Sequence, residues 1–330
     1  MRRPLVLTLG DPAGIGGEIA LRAWAALRET EAFFVIADAE HMAGLAARLS
    51  LPVRRIAGPE QAAAAMGEGL PVLHHPLPCP ATLGQPAPGN APAVVEAIAR
   101  GVALTRAGAA MALCTGPIHK RVLQEGAGFA FPGHTEFLAN LCGAAHPVMM
   151  LASPALRVVP VTVHLPLAAA PATLTRKLLE TTLRITREAM ITDFGVAAPR
   201  IAVAGLNPHA GEGGSMGREE IAVIAPVIDQ LRDEGIAVTG PLSADSMFHP
   251  AARARYDVAV CMYHDQALIP LKTLDFAGGV NVTLGLDFVR TSPDHGTAYD
   301  IAPALCADPT SLIAALRLAR DIGERRAARR

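Results

Sequence analysis

The chain alternates short apolar runs of strand length with longer segments in which apolar residues recur at helical spacing. Residues 5–9 form an apolar run that ends at Gly10-Asp11-Pro12, and residues 18–28 continue at helical spacing. Further strand-like runs lie at 33–37, 111–114, 158–163, 201–204 and 258–262, and helical segments at 41–49, 93–105, 174–191 and 219–231. This alternation predicts an α/β fold with mostly parallel sheets covered by helices.

Length and loop-forming residues indicate two such lobes. A typical domain has about 150 residues, so a chain of 330 residues favours two domains. Glycine and proline cluster at 126–133, where we place a domain boundary. Residues 71–92 are rich in proline, which disfavours regular secondary structure, and we predict an irregular segment there.

The composition is typical of a soluble globular protein. The 29 Lys and Arg and 30 Asp and Glu residues leave a net charge of −1, which gives no electrostatic reason to expect nucleic acid or membrane partners. No apolar run reaches the roughly 18 residues of a membrane span. The five cysteines form no C-x-x-C pair, and Cys114 and Cys261 lie in apolar runs. We expect buried thiols and a reducing, cytoplasmic location.

Three histidines share one sequence context. His164, His209 and His264 each lie just beyond a predicted strand. Because the carboxyl ends of parallel strands meet at one edge of a sheet, these imidazoles can converge there, where open α/β sheets bind their ligands. Neutral imidazole is the commonest metal ligand, and three protein ligands with an open position are typical of a catalytic site. A structural role for each histidine is the alternative.

Polar residues around these histidines suggest further roles, each with an ordinary alternative. The glycine-rich turn at 207–214 offers backbone N–H groups that could hold an anion. Asp265 is either a partner that fixes the His264 tautomer or a helix N-cap. His134 and Thr135 precede a helical pattern, and a helix N-terminus favours phosphate or carboxylate, although Thr135 could simply cap that helix.

Three more polar residues stand in an otherwise apolar and glycine-rich segment, 271–288, and directly after it. Lys272, Asn281 and Arg290 are suited to hold an anion, Arg290 by two hydrogen bonds and Lys272 as a point charge and titratable donor. A solvated surface position is the alternative for each. The chain contains no G-x-G-x-x-G, no P-loop, no G-x-S-x-G and no H-E-x-x-H motif, which excludes an ordinary Rossmann fingerprint and the common hydrolase elbow.

Several longer motifs occur in an order shared with one enzyme family. They are Gly10-Asp11-Pro12-Ala13-Gly14-Ile15-Gly16, Gly133-His134-Thr135-Glu136-Phe137, Asn207-Pro208-His209-Ala210-Gly211-Glu212, Tyr263-His264-Asp265-Gln266, Lys272-Thr273, Gly279-Val280-Asn281-Val282-Thr283 and Arg290-Thr291-Ser292-Pro293-Asp294-His295-Gly296-Thr297. Through them the chain resembles, over nearly its whole length, the 4-hydroxythreonine-4-phosphate dehydrogenases of vitamin B6 biosynthesis. One departure is Gly17, where the family has proline.

The resemblance implies a fold of the isocitrate and isopropylmalate dehydrogenase type, with an interdomain cleft. It implies a first lobe of 1–128 plus about 300–330, and a second lobe, about 129–299, carrying metal ligands and dimer interface. It also implies a homodimer in which the partner subunit completes the active site. Carried over by residue, His164, His209 and His264 match metal ligands, His134, Thr135, Lys272, Asn281 and Arg290 match substrate contacts, and Asp245 matches an acidic position near the site.

The implied reaction is oxidation of 4-phosphooxy-L-threonine at its secondary hydroxyl, followed by decarboxylation. The expected cofactors are NAD, with NADP as an alternative, and one divalent ion per site, which could be Zn, Mg or Co; no residue is identified as binding the nicotinamide. Lys272 is the expected proton-transfer group, with Asp245 as the alternative. Two other functions remain open: the same chemistry on D-erythronate or D-threonate 4-phosphate or an aromatic dihydrodiol carboxylate, and a metal-dependent hydrolase.

Overall fold

The computed structural model describes residues 3–329. Within this range the chain forms twelve β-strands and twelve α-helices. The strands are β1 (Leu5–Thr8), β2 (Phe33–Ala37), β3 (Val53–Ile56), β4 (Leu70–His74), β5 (Leu113–Thr115), β6 (Val148–Ala152), β7 (Arg157–Thr162), β8 (Ile201–Ala204), β9 (Val238–Leu242), β10 (Val258–Tyr263), β11 (Val280–Leu284) and β12 (Arg290–Pro293). The helices are α1 (Gly16–Leu27), α2 (Ala39–Leu49), α3 (Ala62–Ala65), α4 (Ala91–Arg106), α5 (Lys120–Ala127), α6 (His134–Cys142), α7 (Ala170–Thr173), α8 (Arg176–Thr192), α9 (Ala225–Asp233), α10 (Pro250–Arg253), α11 (His264–Leu274) and α12 (Thr310–Ala328).

The chain divides into two compact units. The first runs to Ala145 and resumes at Leu286–Ala328, and the second is His146–Gly285. The first unit contains six neighbouring strands in the order β3-β4-β2-β1-β5-β12, and the pairs among them are all parallel. Strands β1 and β2 are buried along their whole length, as expected for central strands covered on both faces.

The second unit contains the strand order β11-β6-β7-β10-β8-β9. Strands β7, β10, β8 and β9 pair in parallel, whereas β6 pairs antiparallel with both β11 and β7. Its apolar core includes Leu151, Val158, Ala259 and Leu271, each of which is fully buried. The prediction of an α/β fold with mostly parallel sheets is confirmed.

The proline-rich segment is irregular over 75–87, as predicted, but its first four residues belong to a strand. Leu70–His74 forms β4, although Pro71 is its second residue, and this strand pairs on one side with β2 and on the other with β3. Apolar residues Leu70, Val72 and Leu73 are buried in the strand, so their burial outweighs the backbone hydrogen bond that Pro71 cannot donate.

The first unit continues to Ala145, whereas the glycine and proline pattern predicts a boundary at 126–133. The predicted boundary at 126–133 is a short connection between α5 and α6, both of which pack against α4. Phe129 lies in this connection and Phe137 lies in α6. Both belong to one apolar cluster with Ile98 of α4. Near the C-terminal boundary of the predicted second lobe, β12 pairs with β5 of the first unit. His134, Thr135 and Arg290 therefore belong to the first unit, and not to the lobe of 129–299.

Two predictions from composition can be compared with the structure. Cys114 and Cys261 are buried as predicted, whereas Cys79 and Cys142 are half-buried and Cys306 is exposed. Burial raises the pKa of the Cys114 thiol to about 12. Across residues 3–329, no helix combines the length and hydropathy that crossing a membrane requires.

Arg320 joins the C-terminal helix α12 to the first sheet. Its side chain is 4% exposed and pairs with Glu31 at 2.9 Å, while its guanidinium donates to the carbonyl oxygens of Arg3 and Ala32. Removing one partner of a buried ion pair leaves an uncompensated charge, so Arg320→Ala should lower the free energy of unfolding by about 3–5 kcal/mol.

The measurement is urea unfolding followed by the fluorescence of Trp24, the one tryptophan of the chain, which is buried in the first unit. Arg317→Ala, on an exposed position of the same helix, is the matched control and should change the free energy by less than about 0.5 kcal/mol. Equal effects of the two substitutions would contradict the assignment.

Candidate active site

Three neighbouring parallel strands of the second unit end beside the predicted histidines. Strand β10 lies between β7 and β8, with Tyr263 opposite Thr162 and Val260 opposite Val203. His264 follows β10 directly, His164 lies two residues after β7, and His209 lies in the loop after β8. The prediction that each histidine lies just beyond a strand is confirmed, and the structure shows that the three strands are neighbours.

His164 and His264 lie side by side. Their ring centroids are 5.9 Å apart, and both rings line a cavity of about 240 Å³ with Tyr263, Asp265 and Leu167. The backbone of His164 has a φ of +49°, a left-handed conformation that non-glycine residues rarely adopt. Strain of this kind concentrates at functional sites, because the surrounding structure must hold it.

Asp265 orients the ring of His264. Its Oδ1 lies 2.7 Å from Nδ1 of His264, and the N-cap position of α11 is taken by Tyr263, whose side chain makes no capping bond. Of the two roles open for Asp265 from sequence, the structure therefore shows the histidine partner. With Nδ1 engaged by a carboxylate, Nε2 is the nitrogen of His264 that remains to bind a ligand.

His209 lies in a loop with unusual backbone geometry. Its φ is +50°, and the next five residues to Gly214 also have positive φ. Gln266, in the first turn of α11, accepts from the backbone N–H of Met262 and donates to the carbonyl oxygen of Gly205. These hydrogen bonds join the end of β10, which carries His264, to the start of the His209 loop.

Asp245 lies in the turn after β9, next to the His209 loop. Ser243 Oγ donates to its Oδ1 at 2.6 Å. This hydrogen bond lowers the pKa of the Asp245 carboxyl below its usual value, and the charge of His209 acts in the same direction. Asp245 is therefore an ionised carboxylate near His209 at neutral pH.

The spacing of the His164 and His264 rings bears on whether they can share a divalent ion. Two imidazoles that share one ion have ring centres about 5 Å apart, since each metal–nitrogen bond is about 2.0–2.1 Å. The His164–His264 pair comes close to this spacing, and Asp265 supplies the usual carboxylate partner. In the part of the chain from 3 to 329, no three His, Cys, Asp or Glu side chains stand together as a complete metal site. The pair fits a divalent ion, and His209 lies on the loop after the neighbouring strand.

The first unit positions Arg290 and His134. Arg290 is 3% exposed, and its Nη2 donates to Thr115 Oγ1 at 2.7 Å. Burial lowers the pKa of Arg290 to about 10, so it stays protonated at neutral pH. Burial, together with the charges of Arg290 and Lys120, lowers the pKa of His134 well below its ordinary value. His134 is therefore a neutral imidazole beside two cations.

His134 begins α6, and Gly133 is the N-cap residue. Because Gly133 occupies the N-cap position and no side chain makes a capping bond, Thr135 is not the cap of this helix. Nε2 of His134 is buried and has no hydrogen-bond partner within residues 3–329. A buried polar atom without a partner requires an explanation, and a ligand at the helix N-terminus supplies one.

Lys272 and Asn281 lie in the second unit. Lys272 is half-buried on α11, two turns beyond His264, with its Nζ 5.7 Å from the ring centre of Phe276. Asn281 lies on β11, opposite Leu151 of β6. Of the predicted site residues in this unit, the structure places His164 against His264 and Asp245 near His209. In the first unit it brings His134 and Arg290 together.

Two residues near these sites have no counterpart in the sequence prediction. The charge of Lys120 contributes to the lowered pKa of His134. Lys120 begins α5, the helix that follows β5, and this position is the sequence feature by which it could have been found. Glu220 is buried, with 3% exposure, and accepts hydrogen bonds from the start of the His209 loop. The sequence shows Glu220 as one of several acidic residues in a helical pattern, so its burial has no local signal.

The chain was compared with known protein families. The family model described as "Pyridoxal phosphate biosynthetic protein PdxA" matches residues 29–319. The 4-hydroxythreonine-4-phosphate dehydrogenase of Paracoccus denitrificans is 56% identical over 98% of this chain and 99% of its own length.

Solved structures agree with this result. The 4-hydroxythreonine-4-phosphate dehydrogenase of Klebsiella pneumoniae has a TM-score of 0.88 at 38% identity, covering 98% of each chain. A terephthalate 1,2-cis-dihydrodiol dehydrogenase from Burkholderia xenovorans has a TM-score of 0.65 at 30% identity, over 97% of this chain and 98% of its own.

A more distant likeness concerns the fold alone. Isocitrate dehydrogenase from Methylococcus capsulatus has a TM-score of 0.50 at 15% identity, covering 99% of this chain and 88% of its own. The predicted relation to the isocitrate dehydrogenase fold is thereby confirmed. On the family model and the full-length identity, the chain belongs to the PdxA family of pyridoxal phosphate biosynthetic proteins.

Proposed function

We propose that this protein is a metal-dependent, NAD(P)-linked dehydrogenase acting on 4-phosphooxy-L-threonine. The product would be 3-amino-2-oxopropyl phosphate, an intermediate in pyridoxal 5′-phosphate formation. The observation that carries the proposal is the pair of His164 and His264 beside a cavity at the carboxyl ends of parallel strands, with the His264 ring oriented by Asp265. The family membership selects the substrate, because it is the acid named for the relatives.

The reaction has two steps that balance. Oxidation removes a hydride from the carbinol carbon and a proton from its hydroxyl, which leaves a β-keto acid. Loss of carbon dioxide then leaves an enolate, which takes up one proton at carbon. When bound, a divalent ion supplies Lewis acidity at the hydroxyl oxygen and nicotinamide supplies the hydride acceptor.

His164, His209 and His264 would hold the ion. Imidazole ligands suit Zn, Co and several other divalent ions, with Mg the third candidate. The Asp265 carboxylate keeps the His264 ring in one tautomer and one orientation, which prepares Nε2 as the ligand atom. NAD is the proposed oxidant, and NADP is the alternative.

The proposed substrate contacts are His134, Thr135 and Arg290 of the first unit and, in the second unit of either subunit, Lys272 and Asn281. Arg290 is a buried, protonated guanidinium, which can hold a phosphate or carboxylate by two hydrogen bonds. His134 is neutral and can donate one hydrogen bond through its buried Nε2 without adding another charge. Thr135 lies in the first turn of α6, where backbone N–H groups favour an anion.

Lys272 is the proposed proton-transfer group, and Asp245 is the alternative. Lys272 lies on the helix that begins with His264, so one rigid element would position both a ligand atom and a proton donor. Asp245, an ionised carboxylate near His209, can accept the hydroxyl proton. Substitution of each residue separately, with rates of hydride transfer and decarboxylation measured apart, decides between them.

We also propose a homodimer in which the partner subunit completes the site. Exposed apolar side chains concentrate around α11: Ile269 is 62% exposed, Leu274 42% and Phe276 79%. Leu167, which is 65% exposed, lines the cavity beside His164. Exposed apolar side chains that concentrate in one region are typical of a protein interface. Ile269 and Leu274 lie on the helix that carries His264 and Lys272, which supports an interface beside the proposed site.

The first experiment follows reduced nicotinamide and carbon dioxide with 4-phosphooxy-L-threonine and NAD. Both should appear, stop after chelation and return with a divalent ion. Turnover of D-erythronate or D-threonate 4-phosphate or of a dihydrodiol carboxylate, but not of the threonine derivative, would move the proposal to another acid. Hydrolysis without nicotinamide would favour a hydrolase.

The metal ligands are tested by His164→Ala and His264→Ala. Each should weaken Co²⁺ binding by at least about 100-fold, because loss of a ligand costs more than loss of its orienting partner. The measurement is a calorimetric titration of chelator-treated protein. His249→Ala, an exposed histidine of the same unit, is the control and should bind as the unchanged protein does. Unaltered binding by both ligand variants would refute the assignment.

Arg290→Lys tests the anion contact. Lysine keeps the charge but cannot form the two-bond contact, so KM for the phosphorylated acid should rise about 10- to 100-fold. The same variant should lose inhibition by inorganic phosphate. Arg106→Lys, which alters a surface ion pair of the same unit, should leave KM within twofold. An unchanged KM in Arg290→Lys would exclude this role.

Phe276→Glu tests the dimer. A charge in the centre of an apolar interface should shift the protein from twice its 34.3 kDa chain mass to the monomer mass in light scattering. Ile221→Glu, at another exposed apolar position of the same unit, should stay dimeric. A dimer that survives Phe276→Glu, or a protein that is monomeric from the start, would contradict this interface.

A further inference from the structure

The loop after β8 is held in a conformation that it would not adopt by itself. His209, Ala210, Gly211, Glu212, Gly213 and Gly214 all have positive φ, from +44° to +101°. Three of them are not glycine, and for such residues the left-handed region is unfavourable because Cβ crowds the following carbonyl oxygen. A run of six such residues persists only when surrounding contacts over-determine it.

Glu220 makes those contacts from the other end of the segment. Its carboxylate is buried, and its Oε1 accepts the backbone N–H groups of Leu206 and Asn207, each at 2.8 Å. Its Oε2 accepts Nδ2 of Asn207 at 3.0 Å. The anion that the glycine-rich turn was expected to hold is thus partly supplied by the chain itself. The three hydrogen bonds fix the backbone just before His209.

The loop is also packed tightly around this carboxylate. A Cβ on Gly211 would lie 2.6 Å from Oε2 of Glu220, and the φ of Gly211 is +80°, so a larger residue would be strained there. A Cβ on Gly217 would overlap the side-chain amide of Asn207. Gly211 therefore lets the backbone approach Glu220 closely, and Gly217 lets it approach Asn207 closely. Movement of the carboxylate would therefore displace the loop.

The local helix geometry is consistent with a built position. Glu220 begins a π-helical turn, Glu220–Ile224, and such turns occur mostly as single interruptions that are frequent at functional sites. Glu219, immediately before the turn, also accepts from Nδ2 of Asn207, at 2.8 Å. Both carboxylates thus converge on one amide, and only Glu220 also holds backbone N–H groups of the loop.

We propose that Glu220 is a positioning residue that holds the left-handed loop and so sets the direction of His209. In this proposal it acts through its hydrogen bonds to Leu206 and Asn207. The part of this inference that concerns metal binding rests on the proposed function, since His209 is a proposed ligand. The part that concerns loop order does not.

The test compares Glu220→Gln with Glu188→Gln, which removes the same charge at an exposed position of α8. Glutamine keeps the size of the side chain, but its amide group would meet the amide of Asn207 donor to donor. Three properties are measured: far-UV circular dichroism, hydrogen exchange resolved by segment, and Co²⁺ affinity with the visible Co²⁺ spectrum.

We expect Glu220→Gln to remain folded and to exchange backbone protons of 206–214 at least about tenfold faster, with β8 and β10 unchanged. Co²⁺ affinity should fall at least about tenfold and the Co²⁺ spectrum should shift, while Glu188→Gln matches the unchanged protein in every measurement. Exchange and Co²⁺ binding both equal to the unchanged protein would overturn the inference. Acceleration spread evenly over the unit would also overturn it, because it would show a general loss of stability.

Asn207→Ala decides the case if Glu220→Gln does not fold. It removes the amide contact but leaves the two backbone bonds to Glu220 possible, so it should accelerate exchange of 206–214 by a smaller factor and weaken Co²⁺ binding. Values equal to the unchanged protein would overturn the inference. If the unchanged protein itself binds no Co²⁺, the metal proposal fails, and the exchange measurements alone decide whether Glu220 holds the loop.

Discussion

The parallel pairing of β7, β10 and β8 is the constraint on which the candidate metal centre depends. Parallel neighbours end at the same edge of a sheet, so the residues that follow them meet without any sequence proximity. Thr162 and Tyr263 are opposite each other in the ladder, which places His164 and His264 side by side although 100 residues separate them. Both strands are buried on both faces for nearly their whole length, so side-chain packing on each face of the sheet stabilises that register.

Functional geometry in this unit is kept at a local energetic cost that neighbouring contacts offset. His164 and His209 both have left-handed backbones, and neither is glycine. The His209 loop is held by Glu220 and joined to the end of β10 through Gln266. In the first unit, burial works on charge instead. It keeps His134 neutral, whereas Arg290 remains protonated and bonded to Thr115.

Regular elements and the metal-ligand candidates could be predicted from the sequence because their signals are local. A short apolar run predicts a strand. A histidine that follows such a run directly lies at the carboxyl end of the strand, as His264 does after β10. The division into units could not be predicted in the same way. Residues 126–133 have the composition of a linker, yet Phe129 packs with Phe137 and Ile98 in one core, and only the folded chain brings them together. Pro71 within β4 is a similar case, since burial of its neighbours decides the conformation.

By itself the sequence determined the α/β class, the parallel arrangement, the family and the three histidines that are candidate metal ligands. These follow from hydrophobic periodicity, the order of the motifs and residue type. Only the tertiary structure decided which of two roles Asp265 has, because an N-cap and a histidine partner share one sequence context. It alone decided that Thr135 is not a cap and that His134 is neutral, because pKa depends on burial and on the distant Arg290. Glu220 shows the same limit: its chemical role comes from enclosure by residues on both sides, and burial is a property of the folded chain, not of a residue type.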